Sequence, residues 1–121
     1  MMSDSISTPA SPAEKRQMLL QSELERWLPL LIQHMQPECV ILFGSLTQDQ
    51  VHDWSDIDLV IVQETTQPFL KRIREAILLL KPKVGLDLLI YTPKEFAELK
   101  RDRRFVQEEI IKKGKLLYER K

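Results

Sequence analysis

The stretch from residue 39 to residue 62, which decides the fold, reads CVILFGSLTQDQVHDWSDIDLVIV. Its first five residues are apolar and end at Gly44, and its last six form a second apolar run that begins at Ile57. Short runs of this kind, rich in β-branched residues and bounded by turn residues, are typical of buried β-strands. We therefore predict two buried strands, joined by a polar loop from Gln48 to Trp54.

Helix signals lie on both sides of this stretch. Ser11-Pro12-Ala13-Glu14 and Thr92-Pro93-Lys94-Glu95 each combine a capping box with a proline at the first helical position. The first helix is expected to end at Pro37, with a kink or a break into two helices caused by Pro29. A further helix is expected between Pro68 and Pro82 because its apolar residues keep helical spacing.

Two more strands complete the predicted sheet. Residues 84–91, VGLDLLIY, form the third strand, and residues 115–119, KLLYE, form a short edge strand. The helix that starts at Pro93 is expected to break near Arg101, and Gly114 to adopt the left-handed conformation that ends a helix. The order of elements predicts an α/β (α+β) fold, a small mixed sheet with helices packed mainly on one face.

Length and composition limit the organisation and the class of function. The chain has 121 residues, which suits a single domain over residues 11–121 after a flexible tail of residues 1–10. The formal net charge is zero, which disfavours direct nucleic-acid binding. The lone cysteine, the absence of a signal-peptide pattern and the absence of a membrane-length apolar run favour a cytoplasmic protein.

Carboxylates interrupt the apolar runs where a core is expected. Asp56 and Asp58 are two residues apart at the head of a strand, so both side chains leave the same face of the sheet. Asp87 lies in the middle of the apolar third strand. A buried ionised carboxylate without a partner costs several kcal/mol. A divalent cation such as Mg²⁺ is the simplest compensation, which suits phosphoryl or nucleotidyl transfer with two ions.

A phosphate contact is predicted at the end of the first strand. Gly44 allows the backbone to approach a phosphate closely, and the Ser45 hydroxyl and the amides that follow can donate to its oxygens. Other readings of the acidic residues stay open at this point. Asp56 could cap a turn with Asp58 solvated at a strand end, and Asp87 could form a salt bridge with a lysine or arginine.

Together these residues resemble the signature of the minimal nucleotidyltransferase family, part of the polymerase β-like superfamily. That signature is Gly-Ser, a spacer of about ten residues, Asp-x-Asp on the next strand and a third acidic residue on a later strand. Here Gly44-Ser45 is followed by residues 46–55, then Asp56-Ile57-Asp58, with Asp87 as the third acid. The KLLYE ending is also similar to the last strand of that family.

The resemblance implies roles for these residues. Asp56, Asp58 and Asp87 would be catalytic metal ligands, with Asp87 alternatively helping to activate the incoming hydroxyl, and Gly44-Ser45 would bind the triphosphate. It implies ATP as donor and Mg²⁺ as cofactor. Many members of the family are antitoxins paired with a helical HEPN toxin, and some silence that toxin by transferring AMP to a tyrosine.

One departure from the family leaves alternatives open. No lysine or arginine lies between Gly44 and Asp58, so phosphate charge would be met by metal and backbone or by a basic residue from elsewhere. A non-catalytic antitoxin that acts by binding alone, and nucleotidyl transfer to a small molecule, are the alternative functions. Met18 and Leu19 lie off the apolar stripe of the first helix, which favours a homo- or hetero-oligomer.

Overall fold

A computed structural model describes residues 9–48 and 51–121. Its sheet has four strands, in the spatial order β3-β2-β1-β4. These are β1 (Cys39–Phe43), β2 (Ile57–Val62), β3 (Leu86–Tyr91) and β4 (Lys115–Glu119). β1 pairs antiparallel with both β2 and β4, whereas β2 and β3 are parallel. The predicted mixed α/β fold is confirmed; most of the predicted N-terminal tail lies outside the described residues.

Three α-helices accompany the sheet: α1 (Pro12–Met35), α2 (Phe69–Leu80) and α3 (Pro93–Asp102). Both predicted capping boxes are present, at Ser11 and at Thr92. α1 continues through Pro29, so the alternative of two separate helices is wrong. Pro29 is exposed, while Trp27 and Leu31 on either side of it are fully buried. Packing of this face on the sheet keeps the helix intact despite the hydrogen bond that proline cannot make.

The sheet separates two apolar clusters. α1 and α2 cover one face, where Leu20, Trp27, Ala76 and Leu80 pack on residues that include Ile57. The opposite face is covered only in part, by α3 and by a π-helical segment, Val106–Lys112. The second cluster is formed by residues of β1, β2, α3 and the π-helical segment. They are Ile41, Phe43, Val60, Val62, Phe96, Val106 and Ile110. On this face, Asp58 near the start of β2 is half-buried and Asp87 near the start of β3 is exposed.

The segment after β3 agrees with the sequence prediction at one position and differs from it at another. α3 ends at Asp102, as predicted, and the following turn is π-helical. Gly114 is not left-handed, contrary to the prediction. Among the described residues, Gly44 is the only glycine with positive φ. A Cβ at position 114 would overlap the main-chain oxygen of Ile110. Glycine is needed there for close approach to the preceding turn.

In the described part of the chain, no helix combines the length and the apolar character required to cross a membrane.

Candidate functional site

The end of β1 and the start of β2 meet where Gly44 contacts Asp58. Phe43 and Asp58 are opposite each other in the antiparallel register, so Gly44 follows directly beside the acid. Gly44 has φ of +83° and ψ of −159°, a conformation that side chains rarely adopt. A Cβ at this position would overlap the Asp58 carboxylate. Glycine therefore makes room for the carboxylate at the turn.

Asp58 and Asp87 form a carboxylate pair across the parallel strands β2 and β3. They are opposite each other in register, so the two carboxylates are close enough for Asp87 to act on the protonation of Asp58. Burial, the interaction with the Asp87 side chain and the charge of Asp56 raise the pKa of Asp58 to about 7. Two close carboxylates share a proton because both cannot ionise cheaply side by side. The pair therefore concentrates negative charge that a cation could neutralise.

Asp56, the residue before β2, lies beside Gly85, the residue before β3. The Ile57 amide donates to the Gly85 carbonyl oxygen at 3.1 Å, which holds the two strand starts together. A Cβ at position 85 would overlap the Asp56 carboxylate. The sequence analysis did not identify Gly85. Like Gly44, it is next to a strand end and lies against one of the carboxylates.

Arg16 of α1 pairs with Asp56. Its Nη2 donates to Asp56 Oδ1 at 3.2 Å, and its Nε donates to the Ser55 carbonyl oxygen at 2.7 Å. Among the described residues, no other lysine or arginine forms an ion pair with Asp56, Asp58 or Asp87. The sequence analysis missed Arg16, because the two partners are forty residues apart and Arg16 carries no motif.

A short 3-10 turn, Ser45–Thr47, follows Gly44. The Gly44 carbonyl oxygen accepts from the Thr47 amide at 3.1 Å and from the Thr47 hydroxyl at 2.7 Å, which fixes the turn. Ser45 is half-buried at the start of this turn. The leading amides of such a turn have no partner within it and can donate to an anion. The turn thus brings donors to the same end of the sheet as the acids.

The surroundings of Asp87 differ from the sequence expectation. β3 begins at Leu86 rather than at Val84, so Asp87 is its second residue and not its middle one. β3 is also an edge strand, and Asp87 is exposed. In the described residues no lysine or arginine forms a salt bridge with Asp87; the ion pair is at Asp56 instead. The carboxylate is accommodated by solvent and by Asp58 rather than by a buried cation.

The acidic side chains have the ligand type that Mg²⁺ prefers, but they are not assembled around one point. Residues 9–48 and 51–121 contain no preformed cluster of three metal-ligating side chains. Asp56 instead contacts Arg16, while Asp58 and Asp87 contact each other. The ligands are nevertheless carboxylate oxygens, which hard cations prefer, and two glycines leave space around them. The chemistry of the site fits Mg²⁺ if the ion displaces the proton of Asp58 and the Arg16 guanidinium from Asp56.

Comparison with known proteins identifies the family. Residues 25–121 match the sequence model of the family described as polymerase beta, nucleotidyltransferase. This range includes Gly44, Ser45 and all three acids, but not Arg16. No curated protein sequence matches the chain significantly.

Two solved structures share the fold. A protein from Sulfolobus solfataricus, described as a candidate nucleotidyltransferase, is 17% identical, with a TM-score of 0.65, over 93% of this chain and 91% of its own. A toxin-antitoxin structure with AMP-PNP is 20% identical, with a TM-score of 0.53, over 80% of this chain and 73% of its own. At these identities the likeness establishes the fold alone.

Proposed function

The chain belongs to the polymerase beta nucleotidyltransferase family, and from that premise we propose that it transfers AMP from ATP to a hydroxyl group in a reaction that requires Mg²⁺. The acceptor we propose is a tyrosine of a HEPN-type toxin, so that the protein acts as a cytoplasmic antitoxin. The observation that carries the proposal is the contact between Gly44 and Asp58, which brings the turn Ser45–Thr47 beside the acidic residues.

The proposed reaction is an in-line displacement at the α-phosphorus of ATP. The acceptor oxygen forms a bond to the α-phosphorus, and the bond from that phosphorus to the oxygen bridging to the β-phosphate breaks, releasing pyrophosphate. Mg²⁺, when bound, supplies charge neutralisation for the triphosphate and for the attacking oxygen. Asp56 and Asp58 would hold the ions, with Asp87 as a further ligand.

The chain's own residues position the reactants. The Ser45 hydroxyl and the amides of the turn after Gly44 donate to triphosphate oxygens. Asp87, which is exposed and opposite Asp58 in the strand register, would alternatively receive the proton that the acceptor hydroxyl loses. Asp87 is exposed on the edge strand β3, so a macromolecular acceptor could approach it there.

A toxin partner is supported by the toxin-antitoxin structure that shares the fold. Exposed apolar residues offer a contact surface: Met18 is 67% exposed and Leu19 42% exposed on α1. Both lie off the face that packs on the sheet, as the sequence pattern predicted. They favour burial against another chain.

A non-catalytic antitoxin is the second candidate. The observation in its favour is the segment between Gly44 and Asp58, which contains no lysine or arginine to bind phosphate. Under this hypothesis the protein neutralises its partner by binding alone, and the acids have no role in neutralisation.

Co-expression with the product of a neighbouring gene that inhibits growth separates the two candidates. The variant Asp56→Ala/Asp58→Ala should fold, because Asp56 is exposed and Asp58 is only half-buried, yet should fail to restore growth. The matched control is Asp53→Ala, which removes an exposed acid from the preceding loop. Full restoration of growth by the double variant would reject the catalytic account of neutralisation and favour binding alone.

A further inference from the structure

Arg16 lies beside the acidic residues of the proposed nucleotide site. Its guanidinium contacts the carboxylate of Asp56 and the main chain of Ser55, the two residues that lead into β2. Ser55 is buried, and its hydroxyl accepts from the His52 amide at 2.8 Å. The loop that presents Asp56 is therefore fixed, and Arg16 reaches it from a different element.

The two contacts of Arg16 differ in strength and exposure. The bond from Nε to the Ser55 carbonyl oxygen is short, at 2.7 Å, and does not involve a charged acceptor. The ion pair with Asp56 is longer, at 3.2 Å, and the Asp56 side chain is 47% exposed. Exposed ion pairs of this kind contribute little stability and exchange partners readily. Arg16 can therefore stay anchored to Ser55 while Asp56 takes another cation.

The site has few basic side chains to balance its acids and the charge of a bound triphosphate. Three carboxylates lie at or next to the starts of β2 and β3, and Arg16 provides the only ion pair to them among the described residues. The segment from Gly44 to Asp58 contains neither lysine nor arginine. A guanidinium carries five N–H donors and binds phosphate oxygens in pairs.

We propose that Arg16 is a nucleotide-phosphate ligand that α1 supplies in place of a basic residue after Ser45, and that it neutralises Asp56 until a metal ion binds. When Asp56 coordinates the cation, the Nη groups of Arg16 become free to donate to the triphosphate. This inference rests on the proposed function, because it assigns a second role at the same nucleotide site.

The proposal makes opposite predictions for the metal and for the nucleotide. Removal of the guanidinium takes away a competitor for Asp56, so Mg²⁺ alone should bind more tightly. The same removal takes away a phosphate donor, so the nucleotide should bind more weakly. A residue that only supports the fold would weaken both.

The test uses the full chain and three variants: Arg16→Gln, Arg16→Lys and Lys15→Gln. Lys15→Gln is the matched control, since it removes one exposed positive charge from the neighbouring position of α1. Mg²⁺ binding is followed by the thermal unfolding midpoint against MgCl₂ concentration at constant ionic strength. Nucleotide binding is followed by calorimetry with Mg²⁺ and α,β-methylene-ATP, which cannot be cleaved between the α- and β-phosphates.

For Arg16→Gln we expect the apparent Kd for Mg²⁺ to fall about threefold and the Kd for the nucleotide analogue to rise about tenfold. Arg16→Lys should retain metal affinity near that of the natural chain and show intermediate nucleotide affinity, because the charge remains but the planar fork is lost. Lys15→Gln should match the natural chain in both measurements.

Unchanged nucleotide affinity in Arg16→Gln would overturn the inference, as would parallel weakening of metal and nucleotide. Neither result would affect the proposed function, provided that the natural chain binds both probes. Failure of the natural chain to bind Mg²⁺ or the nucleotide analogue would instead overturn the proposed function, and the inference with it.

Discussion

The Asp58 carboxylate lies against the Cα of Gly44, in the space that a side chain at position 44 would occupy. The contact exists because Phe43 is opposite Asp58 in the sheet register, so the turn after β1 begins beside the acid. A strand end, a turn and an acidic residue on the next strand thereby converge on one point. The spacer of residues 46–55 connects this turn to the neighbouring strand.

Gly44→Ala should impair both folding and nucleotide binding. The new Cβ would meet the Asp58 carboxylate, and alanine at φ of +83° is strained. We expect a loss of about 1–3 kcal/mol in the free energy of unfolding, measured by urea denaturation. Ser45→Ala is the control for loss of a phosphate donor without strain. A Gly44→Ala variant as stable as the natural chain would contradict the observed contact.

Asp58 should make the metal-free protein less stable at alkaline pH. Its pKa is about 7 in the fold, above the ordinary value of 3.8, so the fold favours the protonated form. This contribution to stability is complete below about pH 4 and is lost as pH rises through about 7. Asp58→Asn should therefore be more stable than the natural chain at about pH 8, by about 1–2 kcal/mol, and similar to it at about pH 4.

The experiment is urea denaturation across this pH range without divalent cations, with Asp53→Asn as an exposed control. Addition of Mg²⁺ at about pH 8 should stabilise the natural chain and have a smaller effect on Asp58→Asn. Parallel stability curves for Asp58→Asn and the natural chain would show that the carboxylate is not strained in the fold.

Glu23 should stabilise the protein at neutral pH and cease to do so in acid. It is buried, and its carboxylate accepts from Arg26 at 2.8 Å and 2.9 Å and from the Lys83 amide at 2.7 Å. The bond to Arg26 is the main reason that the pKa of Glu23 falls to about 2. The contribution is present above the ordinary pKa of 4.5 and is lost as pH falls toward 2.

Glu23→Gln should accordingly cost about 1–2 kcal/mol in the free energy of unfolding at neutral pH, and the difference should shrink as the pH approaches 2. Glu25→Gln, an exposed change in the same helix, should have little effect. The measurement is denaturant unfolding at several pH values. A Glu23→Gln penalty that stays constant into acid would contradict the ion-pair explanation.

Arg72 should be a major structural residue on α2. It is 8% exposed and donates to Glu95 at 2.7 Å, to the Gln67 carbonyl oxygen at 2.8 Å and to the Ile90 carbonyl oxygen at 3.1 Å. Arg72→Met would remove this donor from the Gln67 and Ile90 carbonyl oxygens and break the ion pair with Glu95, which would keep the Thr92 amide as a donor at 2.8 Å. We expect a loss of about 2–4 kcal/mol. Arg74→Met, an exposed change on the same helix, should cost less than about 0.5 kcal/mol. Equal effects of the two changes would contradict this role.

The fold and the local geometry around Gly44 could be predicted because their signals are local. Apolar runs, capping boxes and the spacing from Gly44 to Asp58 lie within short segments of sequence. The contact of Arg16 with Asp56 could not be predicted, since it depends on how α1 crosses the start of β2. The sequence showed only that a basic residue was missing from the segment between Gly44 and Asp58.

The wrong predictions have the same origin. Asp87 was expected in the middle of a buried strand, but the end of the sheet and the edge position of β3 expose it. Pro29 was expected to kink α1 or to break it into two helices, and the break is wrong because the buried residues around Pro29 keep one helix. In both cases tertiary packing, rather than local pattern, decided the outcome.

AMP transfer to the partner protein is the central claim, and intact mass measurement tests it most directly. The protein is incubated with each nucleoside triphosphate in turn, with Mg²⁺ and the proposed toxin partner, and the intact mass of both proteins is then measured. We predict a partner heavier by one or more AMP groups with ATP, and no change with the Asp58→Ala variant. A stable complex in which neither protein gains mass with any nucleotide would contradict the claim.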